Sequence, residues 1–262
     1  MSSTSEIAEA IIKTYLNEVD TFLLHARSRD KLDALFQRLQ TIEPQSKLIR
    51  LPLLDLVLPQ YSSDNFQTQY ANWFDEVVQD YGLPTHMIIA GGGVSANDLY
   101  TLQLNLISPM LCVQEYIRKV RDVLHHPKYN NRTFQILYLS SVMSDIRTST
   151  YGRAKWMMEK YLDSINERQI LTQYAKIGPV DTQLLRSSRE KLVMERKDGV
   201  FRQLVTKVMV CMIDWLCVPA DEVATAIRTR TDQLRHDFYA PNFMGYFSIL
   251  AAPIFWIIRR FA

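Results

Sequence analysis

The sequence predicts an α/β protein built on a doubly wound parallel sheet, and three observations carry that expectation. Short apolar runs alternate along the chain with stretches whose apolar residues recur at helical spacing, the pattern of strand–helix–strand crossovers. The alternation is clearest from Ile136 to Thr182. There an apolar run ends in Ser140 and Ser141, a helical pattern opens around Tyr151 and Lys155, and a second apolar run leads into Gly178 and Pro179. Finally, no Pro/Gly/Ser-rich linker interrupts the 262 residues, which suit one domain large enough to bury a substantial core.

Taken in order, Ser2 to Leu16 reads as a helix: Ser5 can cap it, Glu6 sits in the first turn, and Ile7, Ala10, Ile11 and Leu16 share a stripe. Val19 to Ala26 is a buried strand. Arg27, Ser28 and Arg29 follow it, and Asp30 caps the next helix. Leu48 to Leu54 is another strand, with Asp55 and Leu56 after it. Phe66 to Tyr81 is amphipathic and helical, and its aromatic side reads as core. Met87 to Ala90 is a strand entering a turn at Gly91, Gly92 and Gly93. Leu102 to Val120 is a long helix in which Asn105 costs propensity, so a purpose for it is expected. His125, His126 and Pro127 read as a helix end rather than a metal site.

Phe134 to Ser140 and Leu171 to Ile177 are strands flanking the helix of Tyr151, which Trp156, Met157, Tyr161, Leu162 and Ile165 continue. Leu184 to Cys217 mixes basic and apolar stretches. Pro219 to Ile227 is a helix with Asp221 and Glu222 in its first turn, where the helix dipole favours them. Phe238 to Ala240 is the last strand.

A net charge of +2, with no dense basic stripe outside Arg186 to Arg202, argues against a nucleic-acid binder. Cys112, Cys211 and Cys217 are odd in number, lie in apolar surroundings and lack metal-ligand spacing, so they read as reduced cysteines of a cytosolic protein. The first apolar positions belong to an amphipathic helix rather than a signal peptide. Tyr151 and Lys155, four apart, share one helix face, so the ammonium is expected to lower the phenol pKa toward a value useful for proton transfer. A hydroxyl at the end of the preceding strand can hold a carbonyl oxygen against that phenol.

The Ser141, Tyr151/Lys155 and Gly178–Thr182 segments together resemble the Ser, YxxxK and PGxVxT motifs of the short-chain dehydrogenase/reductase family. The resemblance implies a Rossmann-like sheet and a nicotinamide cofactor. Tyr151, Lys155, Ser141 and Asn105 become the catalytic set, with Asn105 holding a water that links Lys155 to solvent. Ser141 stands ten residues before Tyr151, closer than is usual in the family, which leaves Ser140 as the alternative hydroxyl. Cofactor contacts are expected from Ser5 and Ile7 at the first loop, Arg27 and Ser28 after the next strand, Asp55 and Leu56 beside the adenine, Ala90 and Gly91 along the ribose, then Lys155, Val180 and Thr182. A basic Arg27 in that position implies NADP(H) over NAD(H).

The chain departs from the family at several points. Ser2, Glu6 and Ala8 stand where the TGxxxGxG loop has glycines, Ile88 and Ile89 replace asparagines, and Ile177 replaces the first proline of PGxVxT. The strand that should precede the loop is missing. In the doubly wound order it pairs on both sides, so its loss leaves two inner edges without ladder partners. The expectation is that Met1 lies downstream of the real start or that the sheet has a rebuilt centre. Glu6 also brings a carboxylate to where pyrophosphate is expected.

Residues 1–240 thus form one domain with a substrate lid at about 184–217, and 241–262 form a tail. From Phe238 to Ile258 there is no charge, Pro241, Gly245 and Pro253 divide the run, and aromatics are spread along it before Arg259 and Arg260. That composition favours a membrane face over a span, hence peripheral contact on the cytoplasmic side. The tail is similar to that of the membrane-associated family branch typified by decaprenylphosphoryl-2-keto-ribose reductase. The function implied is NADPH-dependent reduction of a small-molecule or lipid-linked carbonyl substrate by a homodimer. The competing expectation is a binding or regulatory protein of the same fold with weakened cofactor binding.

Overall fold

A computed structural model describes residues 3–55, 63–127, 129, 131–182 and 217–240, with backbone only for 63–66. Strands β1 (Thr21–Leu24) and β2 (Lys47–Arg50) pair in parallel, and β3 (His86–Ile89), β4 (Phe134–Ser141), β5 (Ile170–Ile177) and β6 (Asp237–Ala240) form a second parallel ladder in that order. Helices connect them: α1 (Glu6–Tyr15), α2 (Arg29–Ile42), α3 (Ser63–Tyr81), α4 (Asp98–Leu102), α5 (Ser108–Val123), α6 (Met143–Ile146), α7 (Thr150–Asp163) and α8 (Ala220–Asp232). The α/β parallel architecture expected from the sequence is therefore present. Among the described residues no strand lies between β1 and β3.

Local chemistry sets the boundaries. Ser5 accepts a hydrogen bond from the Ala8 amide, so α1 begins after it rather than at Ser2. The long helix starts earlier than Leu102 because Asn97 caps it, its side-chain oxygen accepting from the amides of Leu99 and Tyr100. A π turn over Gln103–Ile107 then separates α4 from α5. β2 ends at Arg50, short of the expected Leu54, just ahead of Pro52, which cannot donate to a ladder.

Alternate residues of β4 feed opposite layers, as the two-residue strand period demands. Phe134, Ile136 and Tyr138 face α3, α5 and α7 with Tyr70, Trp73, Tyr116, Met158 and Leu162. Leu137 and Leu139 face α1 and α8 with Ile11, Val223 and Ile227. A third cluster, Leu24, Leu32, Leu35, Leu39 and Leu48, seats α2 on β1 and β2. β4 and β5 pair over their full length, from Phe134 opposite Ile170 to Ser141 opposite Ile177, which carries the two serines to the carboxyl edge of the sheet.

The connection from β4 to α7 is a single helical turn, α6, ended by Arg147 in the left-handed conformation at φ 54°. Gly152 packs against it so closely that a Cβ would overlap the Met143 carbonyl oxygen. Alanine would gain about 1 kcal/mol in helix propensity but meet backbone that cannot swing aside, a clash worth about 1–3 kcal/mol. Gly152→Ala is expected to lower Tm by several degrees in a thermal melt followed by circular dichroism, since each kcal/mol moves Tm by about 2–4 °C in chains of this size.

Candidate active site

The compact α6 turn explains how ten residues suffice between Ser141 and Tyr151. It folds the chain back over the end of β4, and the Tyr151 phenol comes beside the Ser141 hydroxyl, which favours its ionised form. Ser141 also accepts from the Met143 amide at 3.2 Å, which fixes its rotamer. Ser140 points elsewhere: its hydroxyl donates to the Glu159 carboxylate, buried beneath α7. Ser140 and Ser141 thus face opposite sides of the sheet, because one residue along a strand reverses the face.

Lys155 lies one turn after Tyr151 and is 2% exposed. Its amine donates to the Leu139 carbonyl at 2.9 Å and stands 4.5 Å from the centre of the Tyr138 ring and 5.7 Å from that of Tyr151. Burial pulls the amine down to about 7, with the Glu159 carboxylate opposing. Burial likewise pushes the Tyr151 phenol above its ordinary value, and the Ser141 hydroxyl opposes that. The expected lowering of the phenol by the ammonium is therefore not what this environment gives. Desolvation is the largest influence on both and favours the neutral form of each group.

Asn105 reaches the same place through the π turn. Its side chain donates to the carbonyls of Gly93 at 2.7 Å and Thr101 at 2.8 Å and accepts from the Gly93 amide at 3.2 Å. Its main-chain carbonyl accepts from the Tyr138 hydroxyl at 2.9 Å. These bonds make Asn105 a clamp on the turn after β3. π turns of this kind concentrate at functional sites.

Three participants escaped the sequence reading. A Cβ on Gly92 would stand 2.9 Å from both Asn105 Oδ1 and Lys155 Nζ, so it is at this glycine that the turn packs against the amine. Tyr138 supplies the floor, and a tyrosine in an otherwise apolar strand was its signal. Glu159 continues the Tyr151–Lys155 stripe by one more turn.

The remaining predicted positions divide. Gly91 is buried and Ala90 half-buried at the end of β3. Val180 forms a bridge with Val218 through its neighbours: the Val218 amide donates to Pro179 O and the Asp181 amide to Val218 O. In that geometry the N–H and C=O of Val180 itself face away from Val218. Thr182 is half-buried at the edge of the described residues. Arg27 is exposed and donates to the Tyr100 hydroxyl at 3.2 Å, while Ser28 caps α2 and Asp55 is exposed. Ser5 accepts from the Ala8 amide as the cap of α1, and the Ile7 side chain packs into the α1–α8 layer. Leu56, the lid at 184–217 and the tail at 241–262 lie outside the described residues, apart from Cys217 at the end of the lid. Among the described residues no helix is long and apolar enough to cross a membrane, and no cluster of His, Cys, Asp and Glu could hold a metal.

The residues that could hold a nicotinamide dinucleotide are Lys155 and the Gly91–Gly93 turn, where the absence of a side chain at Gly92 lets the backbone pack against Lys155 Nζ and Asn105 Oδ1. The first turn of α1 suits a pyrophosphate less well, because it carries Glu6 and Glu9 rather than glycines.

Solved structures share the fold. Levodione reductase superposes with a TM-score of 0.64 at 14% identity, over 86% of this chain and 86% of its own. A bulky-bulky ketone specific alcohol dehydrogenase from Comamonas testosteroni gives 0.63 at 12% identity, over 91% and 83%. A short-chain type dehydrogenase/reductase from Mycobacterium ulcerans gives 0.57 at 15%, over 84% and 86%. No protein-family model matches the sequence, and no curated protein does. The chain is thus similar in fold to the short-chain dehydrogenase/reductases.

The buried amine gives stability a characteristic pH dependence. Its pKa is about 7 folded against an ordinary 10.5, so the unfolded chain binds more protons between those values. Lys155 therefore makes stability rise as pH rises from about 7 toward 10.5. Urea titrations across that window should show the rise in the native chain and its loss in Lys155→Met.

Proposed function

We propose that the chain is an NADPH-dependent reductase of a ketone. The observation that carries this reading is the Ser141–Tyr151 pair at the carboxyl end of β4 with the Lys155 amine directly behind it. The solved structures of like fold are themselves named as a ketone-specific dehydrogenase and reductases, which supports the same reading.

When bound, a reduced nicotinamide supplies the hydride for the carbonyl carbon. The chain supplies the proton. A phenol raised by burial stays protonated at neutral pH, as a general acid must. The carbonyl oxygen, hydrogen-bonded by Ser141, takes that proton as it becomes an alcohol oxygen. The phenolate left behind raises the basicity of the Lys155 amine beside it, so Lys155 takes up a proton and then returns one to Tyr151. Asn105 acts as a positioning residue, holding the Gly91–Gly93 turn over the amine.

Finer features belong to this proposal. Arg27, basic and exposed past β1, supports NADP(H) over NAD(H). The uncharged aromatic tail supports a lipophilic or lipid-linked substrate met at the cytoplasmic face of a membrane. Met157, an exposed apolar residue of α7, supports a homodimer joined along that helix. The second reading, a binding protein with weakened cofactor affinity, is favoured by Glu6 in the first turn of α1. Titrating the chain with NADPH by thermal shift separates the two, because a ligand must raise Tm if it binds the folded state.

Tyr151→Phe removes the transferable proton and leaves the ring. Its ketone-reducing turnover should fall by about 10²–10⁴-fold while the circular dichroism spectrum is unchanged. Equal turnover in the variant would take Tyr151 out of the mechanism.

A further inference from the structure

Glu159 is a buried carboxylate that the proton transfer described above does not use. It lies one turn after Lys155 on the same face of α7, which sets the two Cβ atoms about 5–6 Å apart. Both side chains reach the same strand. The Lys155 amine donates to the carbonyl of Leu139 at 2.9 Å, and the hydroxyl of Ser140, the next residue of β4, donates to one oxygen of Glu159. From β5, the Lys176 ammonium approaches the other oxygen at 3.6 Å.

Enclosing either charge is costly unless an opposite charge or hydrogen bonds compensate, and both residues are only 2% exposed. The contacts of the amine with the Leu139 carbonyl and the Tyr138 ring supply partial charges alone. The other titratable groups facing the pair are Tyr151 of α7, Tyr138 of β4, Lys176 and Tyr174 of β5, Tyr239 of β6 and Asp145 of α6. Burial holds Tyr138, Tyr151 and Tyr174 as neutral phenols. Asp145 is engaged by Lys176 and by the Tyr239 hydroxyl. Glu159 is left as the carboxylate that acts on the amine.

We propose that Glu159 is a positioning residue for Lys155, a fixed negative charge held by Ser140 and Lys176 that keeps the enclosed amine able to accept a proton. Burial disfavours the ammonium and pulls the amine down to about 7, and the Glu159 carboxylate works against that. Removing the negative charge therefore lowers the pH at which the amine gains its proton. The consequence for catalysis rests on the reductase reading, in which Lys155 takes up a proton and returns one to Tyr151. The charge of the amine does not.

The test titrates the full chain by NMR, isotope-labelled at the lysine Cε atoms and without any cofactor. The Lys155 signal is the one that titrates near 7 and is lost in Lys155→Met. Glu159→Gln keeps the shape of the side chain and an acceptor for Ser140 but removes the charge. Its Lys155 midpoint should fall by at least about one pH unit, the effect of losing an opposite charge at such a separation. Glu159→Asp keeps the charge, so its midpoint should lie between the two. An unchanged midpoint in Glu159→Gln overturns the proposal, and so do equal falls in both variants, which would trace the effect to packing. If Glu159→Gln does not fold, Ser140→Ala decides: loosening the carboxylate should lower the midpoint, and an unchanged one overturns the proposal. Ketone turnover against pH is read separately, and its pH dependence should move down with the amine in Glu159→Gln. Absence of turnover in the native chain overturns the reductase reading alone, since the NMR midpoints still decide the role of Glu159.

Discussion

The crevice depends on the burial of one amine. Lys155 is almost fully enclosed, and its Nζ is held by the Leu139 carbonyl, the Tyr138 ring and the edge of the Gly92 turn. Enclosing an ammonium is costly unless polar groups compensate, so each neighbour is constrained in turn. Gly92 must lack a side chain. Tyr138 must lie flat beneath the amine while its hydroxyl finds the Asn105 carbonyl, and Asn105 must tie down the Gly91–Gly93 turn. Removing the amine would leave polar groups arranged around nothing.

Behind the crevice lies a second polar group of residues with a different purpose. Ser140, Lys176 and Tyr239 sit side by side on β4, β5 and β6. Lys176 bonds Asp145 at 2.5 Å and approaches Glu159 at 3.6 Å, and the Tyr239 hydroxyl donates to Asp145 at 2.9 Å. Burial raises the Glu159 carboxyl, while Asp145 and Glu159 hold the Lys176 ammonium above its usual range against desolvation. These contacts pin α6 to β5 and β6, and the Ser140–Glu159 bond ties β4 to α7.

Much of this was legible in the sequence, for reasons that also mark the limits. Strand and helix types followed from periodicity, and Tyr151 with Lys155 followed from spacing, because both rest on the geometry of one element. What the sequence concealed is tertiary. That Ser141 rather than Ser140 meets Tyr151 depends on a one-turn helix and on the absence of a Cβ at Gly152. The pKa directions depend on burial, which spacing does not report. The clamp made by Asn105 depends on a π turn with no sequence signature.

The α6 turn has a consequence for selectivity. It is fastened below by Asp145 to β5 and β6 and in front by the contact of Met143 with Gly152. The wall that it gives the crevice is therefore peptide backbone braced at two points, a fixed jaw. A molecule too broad for that side meets main chain rather than a side chain that can rotate away, and its rejection is written in shape that point substitutions at the rim would scarcely alter.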